Sequence, residues 1–556
     1  MTFNKLLRLL PLLAAALLSP PGHAEKVPAA TNFDSDDATC VLGRCYSNPE
    51  QAPGDEWQLP AGNYQEATTP LAVWYPQGDS GPAAYAYHKR LPSTYTRKIP
   101  LGIVGGCPPY HVTINSGFTG MTVENDYDSA DRWVLTVTNP TVESVTVDID
   151  VEDQCGTTVN RTWAGEVISR DNATYFVYID GGAAGGGDGS RTSPYNELGD
   201  IVGPNISDTT WQGRQVLCLG GTLTIAGQSA SYATNNTKLR LNANKPRVWV
   251  STTIGGCTLQ GSAGNSLGAN MNPSDGGTDF SIIGFNWQNP FMDESGGGGT
   301  QERNNYIHGS SGAYQYGVIA FNSFDGTSVA ADEGSNSAAI HYALGASCAD
   351  WGAVIGNTFD DFDHFMPMLF FSACHQVIQS NTVTNSSNTE GLGYIKGGAD
   401  QNDYWFAFNV GTGNSGPIST IDCINSGPPW TRERIEFMHN RWVTSGSLPS
   451  GYALHLKGSA GGCVLGVESR RNSWKANHHR AQGSSVATGL FLFDWDSFEH
   501  DGTQTSPAAG VDDDGAGVTI TVGANNDMGT SGIVDDTTGL QEGGADCTHG
   551  AEICAD

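Results

Sequence analysis

The chain has 556 residues, of which 72 are glycine and only 15% are charged, and its formal net charge is −31. That acidity argues against a nucleic-acid partner, the glycines lack the three-residue period of collagen, and the length predicts more than one domain. Scarce charge with abundant Gly, Asn, Ser and Thr predicts an all-β protein rich in turns.

Residues 1–24 read as a secretory signal. Lys5 and Arg8 give a positive start, Leu9 to Leu18 a short apolar run, and Gly22-His23-Ala24 small residues for cleavage. That run is too short to span a membrane, and no later segment is long enough. The protein is therefore expected outside the cytoplasm, in the periplasm or the medium. In an oxidising compartment the twelve cysteines should pair. Their order suggests Cys40 with Cys45, Cys107 with Cys155, Cys218 with Cys257, Cys348 with Cys374, Cys423 with Cys463 and Cys547 with Cys554. No Cys-x-x-Cys spacing points to zinc. Residues 25–66, rich in Pro, Asp and Ala, are predicted to be a linker.

Residues 67–168 predict a β-sandwich. Trp133 to Val137 is a short apolar run, and Val145, Val147, Ile149 and Val151 alternate with polar residues at period two. The stretch Val104-Gly105-Gly106-Cys107-Pro108-Pro109-Tyr110 resembles the turn of bacterial Ig-like repeats. That resemblance implies a spacer or adhesion module, and no catalytic set is visible in it.

A new pattern begins at Tyr175. Tyr175 to Asp180 reads as a strand, Gly181 to Gly189 as a Gly/Asp loop, and Ser193 to Leu198 as a helix start. The order resembles the opening of secreted right-handed β-helix proteins. The loop lacks the Lys and Ser/Thr of a phosphate cradle. Five later segments align on a pair of small residues, with anchors at 344, 371, 396, 425 and 457, spaced by 27, 25, 29 and 32 residues. Each spacing suits one coil of a parallel β-helix. The central residues Ala343, Phe370, Ile395, Ile424 and Leu456 are all apolar, as an inward stack requires. A second series places Asn at 357, 381, 409, 440 and 472, with Asn322 upstream. Asn at a repeated turn tolerates a left-handed backbone and can stack its amide from coil to coil. The predicted fold is all-β: a right-handed parallel β-helix over residues 172–500, preceded by the Ig-like β-sandwich. Residues 501–556 are an acidic cap or tail.

Side chains alternate along a strand, so the neighbours of the inward residues should point out. They include Tyr342, Tyr394, Lys396, Asn425, His455 and Lys457. Lys396, Asn425 and Lys457 are predicted to form one column, with the lysines about 10 Å apart. Residues 431–480 carry eight Lys or Arg against three acids, and four of the 13 histidines. A basic patch on an acidic protein suggests an anionic ligand, such as a polyuronate or a sulfated glycan. The same patch also suits a solvated basic edge.

These residues resemble the pattern of secreted β-helix lyases of the chondroitinase B and alginate lyase type. Glu390 precedes Lys396 by six residues, and Asn409 follows on the next strand. The resemblance implies β-elimination on an anionic extracellular polysaccharide, with Lys396 as base and Glu390 beside a calcium ion. It also implies an arginine near the substrate carboxylate, one coil after the lysine. That coil offers Asn425, so Arg434 or Arg441 would substitute. Catalytic roles are expected for Lys396, Arg434, His455 and Lys457, and substrate contacts for Tyr342, Tyr394, Asn425 and Arg441.

Two other readings stay open. A glycoside hydrolase would use paired carboxylates, from Asp360, Asp361 and Asp363 beside His364, or from Asp494 and Asp496 around Trp495. Both clusters suit turns or calcium loops equally, and Asp512 to Asp514 read as a loop or calcium ligand. A module joined to a β-helix is also the build of a non-catalytic adhesin.

Overall fold

The computed structural model describes residues 69–522 with interruptions, the longest at 125–132, 225–238, 262–270, 294–302, 328–337, 344–351 and 500–510, and four short strand pieces outside that span. The expected signal, most of the linker and most of the tail lie outside the described residues.

From Phe176 onward the chain is a parallel β-helix. Three long sheets of 12, 10 and 11 strands run side by side, and each coil between the terminal ones contributes one strand to each of them. The first face runs from Phe176–Ile179 to Thr519–Val522, the second from Gly221–Thr224 to Ser497–Glu499, and the third from Leu239–Leu241 to Val511–Asp514. Between these faces lies one apolar core. On the first face Val177, Val216, Trp249, Ile282, Ile319, Val354, Ile378, Phe406 and Phe437 stack in register. Aromatic rings stack from coil to coil within it, Phe406 on Phe437 at 4.7 Å and Phe324 on Phe359 at 5.0 Å. The expected helix start is displaced: the helix is the short Gly199–Val202, and Leu198 and Ile201 bury into the core.

The asparagine series forms a buried ladder. Nδ2 of each residue donates to Oδ1 of the next: Asn322 to Asn357, then Asn381, Asn409, Asn440 and Asn472, at 2.9–3.1 Å. Each Oδ1 also accepts the backbone N–H of the preceding asparagine. The left-handed backbone belongs to the residue before each of the first five amides: Phe321, Gly356, Ser380, Phe408 and His439 have φ between 53° and 66°.

Two anchors of the first series are corrected. Ala343, not residue 344, pairs with Phe371. The strand Ser419–Asp422 ends before residue 425, so Ile421 takes the inward place expected of Ile424. Loop length varies between coils, so the small residues that follow a strand do not mark its register.

The second face turns two polar columns outward. One runs Thr222, Thr258, Asn286, Ser323, Thr358 and Thr382. The other, two residues further along each strand, runs Thr224, Gln260, Gln288, Asp325, Asp360 and Thr384.

Residues 69–168 form a mixed four-stranded sheet, antiparallel except where Arg90–Pro92 pairs parallel to Thr158–Ile168, an antiparallel three-stranded sheet and a two-stranded ribbon, around a second apolar core. The alternation at Val147, Ile149 and Val151 buries as expected. Cys107–Cys155 closes this module and Cys218–Cys257 ties the first coils, as the cysteine order suggested. Gly105 and Gly106 both have positive φ, and a Cβ on Gly105 would lie 2.2 Å from the carbonyl oxygens of Thr69 and Pro70. The Tyr110 hydroxyl donates to the Gly105 carbonyl at 2.8 Å and closes that turn.

The second core does not end at the module. It continues into the outward side of the first face, where Leu217, Val250, Ile283, Ala320, Ile355, Ala407 and Met438 stand in one column around Gln379. The Trp133 ring packs on Phe408 at 4.4 Å, and Arg97 donates to Gln215 Oε1 at 3.1 Å.

Candidate functional site

The third face gathers most of the residues expected from the sequence. Two outward columns run along it, because alternate residues of each strand leave the core. One reads His341, Leu369, Tyr394, Thr420, His455 and Arg480. Its neighbour reads Phe371, Lys396, then Asp422, Lys457 and Gln482. Adjacent members of a column lie about 4.8 Å apart.

Asp422, not Asn425, therefore stands between the two lysines. Its carboxylate is fully buried and accepts the Tyr394 hydroxyl at 2.5 Å. Tyr394 is itself buried and packs with Ala338, Met366 and Leu369 in a small cluster apart from the main core. The Lys396 ammonium lies 5.1 Å from the centre of the Tyr394 ring. His455 is buried, whereas Lys396 and Lys457 are partly exposed. Thr420, between Tyr394 and His455, is fully buried, and its hydroxyl has no hydrogen-bond partner among the described residues. The result is a floor of Tyr, Thr, Asp and His with a lysine on either side of the acid.

Other expected residues fall elsewhere. Tyr342 is in register with Phe370, Ile395, Ile421 and Leu456, the inward column, and not with Tyr394. A slip of one residue exchanges the two sides of a strand. Arg441 belongs to the second face, in register with Val410 and Ser473. It is buried there, and burial lowers its pKa to about 10. Arg434 sits at the corner between the third and first faces, where its guanidinium donates twice to Asp403. That pairing raises its pKa, while hydrogen bonds from Arg434 and His375 overcome burial and hold Asp403 at about 2. Neither arginine joins Lys396. Asn425 and Glu390 lie outside the described residues, and among those described no group of His, Cys, Asp or Glu could hold a metal ion.

The carboxylate clusters are also dispersed. Asp360 belongs to the second face and accepts the Thr384 hydroxyl at 2.6 Å, while Asp494 ends a first-face strand. Asp363, His364, Trp495 and Asp496 lie outside the described residues. Asp512 to Asp514 form a strand in register with Arg480, Ala481 and Gln482, in place of the expected loop.

Sequence reasoning missed Asp422, Thr420 and Arg432. The first two were detectable, because Tyr-Ile-Lys, Thr-Ile-Asp and His-Leu-Lys share one out-in-out pattern at 394–396, 420–422 and 455–457. Arg432 is buried, which lowers its pKa to about 10 against the opposing pull of Tyr404, Asp400 and Asp422. Nothing local in the sequence marks that burial.

No family model matches this sequence, and no curated protein matches it. Among solved structures, the catalytic domain of a GH87 alpha-1,3-glucanase in complex with tetrasaccharides is similar over 82% of this chain and 87% of that chain, with 10% identity and a TM-score of 0.28. So slight a likeness carries nothing about function. Among the described residues no helix is long and apolar enough to cross a membrane.

Proposed function

We propose that this is a secreted polysaccharide lyase whose third face binds an anionic, uronate-bearing chain and cleaves it by β-elimination. The observation that carries this reading is the outward column Lys396, Asp422, Lys457, with Asp422 engaged by Tyr394. Two lysines then face an extended chain from coils two steps apart, and the acid between them is already hydrogen-bonded. The signal read at residues 1–24 and the two disulfides support secretion.

The chemistry requires three groups. Lys457 neutralises the uronate carboxylate, which makes the C5 proton removable. Lys396, in its neutral form, takes that proton as the base. The electron pair forms the C4–C5 double bond as the C4–O bond breaks, and His455 returns a proton to the leaving oxygen. Lys457 thus takes the role expected of Arg434 or Arg441. A calcium ion at Glu390 would add a second neutralising charge, and chelation with EDTA tests for it.

Full-length protein incubated with alginate, pectate and glycosaminoglycans should release unsaturated uronate, absorbing near ~235 nm. Lys396→Ala should abolish that signal with an unchanged melting temperature. Unchanged activity in this variant overturns the assignment of the base. Binding without product would make the protein a glycan-binding adhesin, and new reducing ends without the absorbance would make it a hydrolase.

A further inference from the structure

We infer that the second face is a separate docking surface for a neutral, hydroxyl-rich polysaccharide chain. Over six coils its two outward columns contain only hydroxyl, amide and carboxylate side chains. No apolar side chain and no cation interrupts them. Every one of these positions is at least partly open to solvent, and among the described residues neither the N-terminal module nor a loop closes over the face.

Spacing and chemistry together select the partner. The columns repeat about every 4.8 Å along the helix axis and stand about 6.6 Å apart across it. A stiff array of that pitch suits a polymer that is itself periodic and extended. Most of its hydrogen-bonding capacity is unspent: among the described residues, the side chains of Thr258, Gln260, Gln288, Ser323, Thr358 and Thr382 make no hydrogen bond to the protein. The rigidity comes from beneath, where Trp287, Phe324 and Phe359 stack against one another in the core. A preformed array loses little side-chain freedom on binding.

Charge separates this face from the third. Asp325 and Asp360 are neighbours in one column, and no Lys or Arg stands in either column over these six coils. An anionic chain would meet repulsion here and attraction at Lys396 and Lys457. A neutral chain bearing many hydroxyls can donate to the carboxylates and exchange hydrogen bonds with the threonines and amides. The protein would thus hold a neutral glycan on one face while the neighbouring face addresses an acidic one.

The test is retention of the full-length protein on microcrystalline cellulose and on immobilised laminarin, two neutral glucans of different geometry. The wild-type protein should bind at least one of them, and excess soluble alginate should not release it. Thr258→Tyr with Thr358→Tyr should weaken that binding by about tenfold or more. Gln260→Tyr with Gln288→Tyr, in the other column, should do the same. Unchanged melting temperatures would show that the variants remain folded. Failure to bind either glucan, equal binding by both double variants, or release by alginate would each overturn the inference. Release by alginate would locate the binding on the third face instead.

Discussion

Each rung of the asparagine ladder satisfies groups that have no access to water. Asn409 Oδ1 accepts both the backbone N–H and the Nδ2 of Asn381, and its own Nδ2 donates to the Ile378 carbonyl and to Asn440. Asn409→Ala should therefore leave two buried donors on Asn381 unsatisfied, at about 1–3 kcal/mol each. Asn472 is the last described rung: its loss strands the donors of Asn440 and the Phe437 carbonyl but takes no donor from a further described rung, whereas Asn409→Ala also removes a donor to Asn440. Urea denaturation should show a larger fall in midpoint for Asn409→Ala than for Asn472→Ala, and equal falls would mean the rungs are not coupled. The ladder was legible because one residue type must recur wherever one geometry recurs. What the sequence did not disclose was the left-handed residue before each of the first five amides. That place is filled by Phe, Gly, Ser, Phe and His, which share no chemical type.

At the scale of the strand, legibility depended on register. Ile395 and Leu456 were placed correctly, and with them Tyr394, Lys396, His455 and Lys457 on the outward side. The coil between them went astray, because Ile421 and Ile424 are equally apolar and the Ser-Gly pair after the second drew the alignment three residues downstream. The correction makes a direct prediction about activity. Asp422→Ala removes the acceptor of the Tyr394 hydroxyl and the acid between the lysines, so kcat/KM on a polyuronate should fall by about a hundredfold, the scale of a lost catalytic contact. Asn425→Ala should leave kcat/KM within about twofold, because residue 425 lies past the end of the strand. A larger loss at Asn425 than at Asp422 would contradict the register. Tyr394→Phe isolates the hydrogen bond from the ring: it should lower stability by about 1–3 kcal/mol by leaving a buried carboxylate short of a donor, measured by thermal unfolding.

The whole molecule is organised by a feature that no single segment displays. The outward side of the first face is mostly apolar from Phe176 as far as Met438, broken by Gln215, Ser281 and Gln379, and turns charged at Glu436, Glu468 and Arg470. Outward columns of Val, Ile and Ala would be an aggregation hazard on an isolated β-helix; here they are the footprint of the N-terminal module. A chain beginning at residue 172 should accordingly be insoluble or bind a hydrophobic dye, whereas the intact protein should not. At the edge of the footprint the backbone N–H and hydroxyl of Thr69 both donate to Glu436 Oε1. Glu436 Oε2 is buried without a partner among the described residues. Burial is the main cause that raises the pKa of this carboxyl to about 7; the neighbouring Glu468 adds to the rise, while Thr69 and Arg470 oppose it. Tyr110, facing it from the module, is itself driven upward by burial and stays neutral. A carboxyl whose pKa is higher in the docked protein than in the unfolded chain binds its proton more tightly there. Docking is thus strongest below about pH 4.5 and weakens as the pH rises through about 7. The full difference is on the order of 3 kcal/mol. Hydrogen exchange of the amides around Thr69, and around Leu101, whose carbonyl accepts from Gln379 Nε2 across the seam, should be faster at pH 8.5 than at pH 5.5 by more than the intrinsic chemistry of exchange accounts for. Glu436→Gln keeps the acceptor for Thr69 and removes the ionisation, so the excess should vanish. If it persists in Glu436→Gln, another group controls the seam between module and helix.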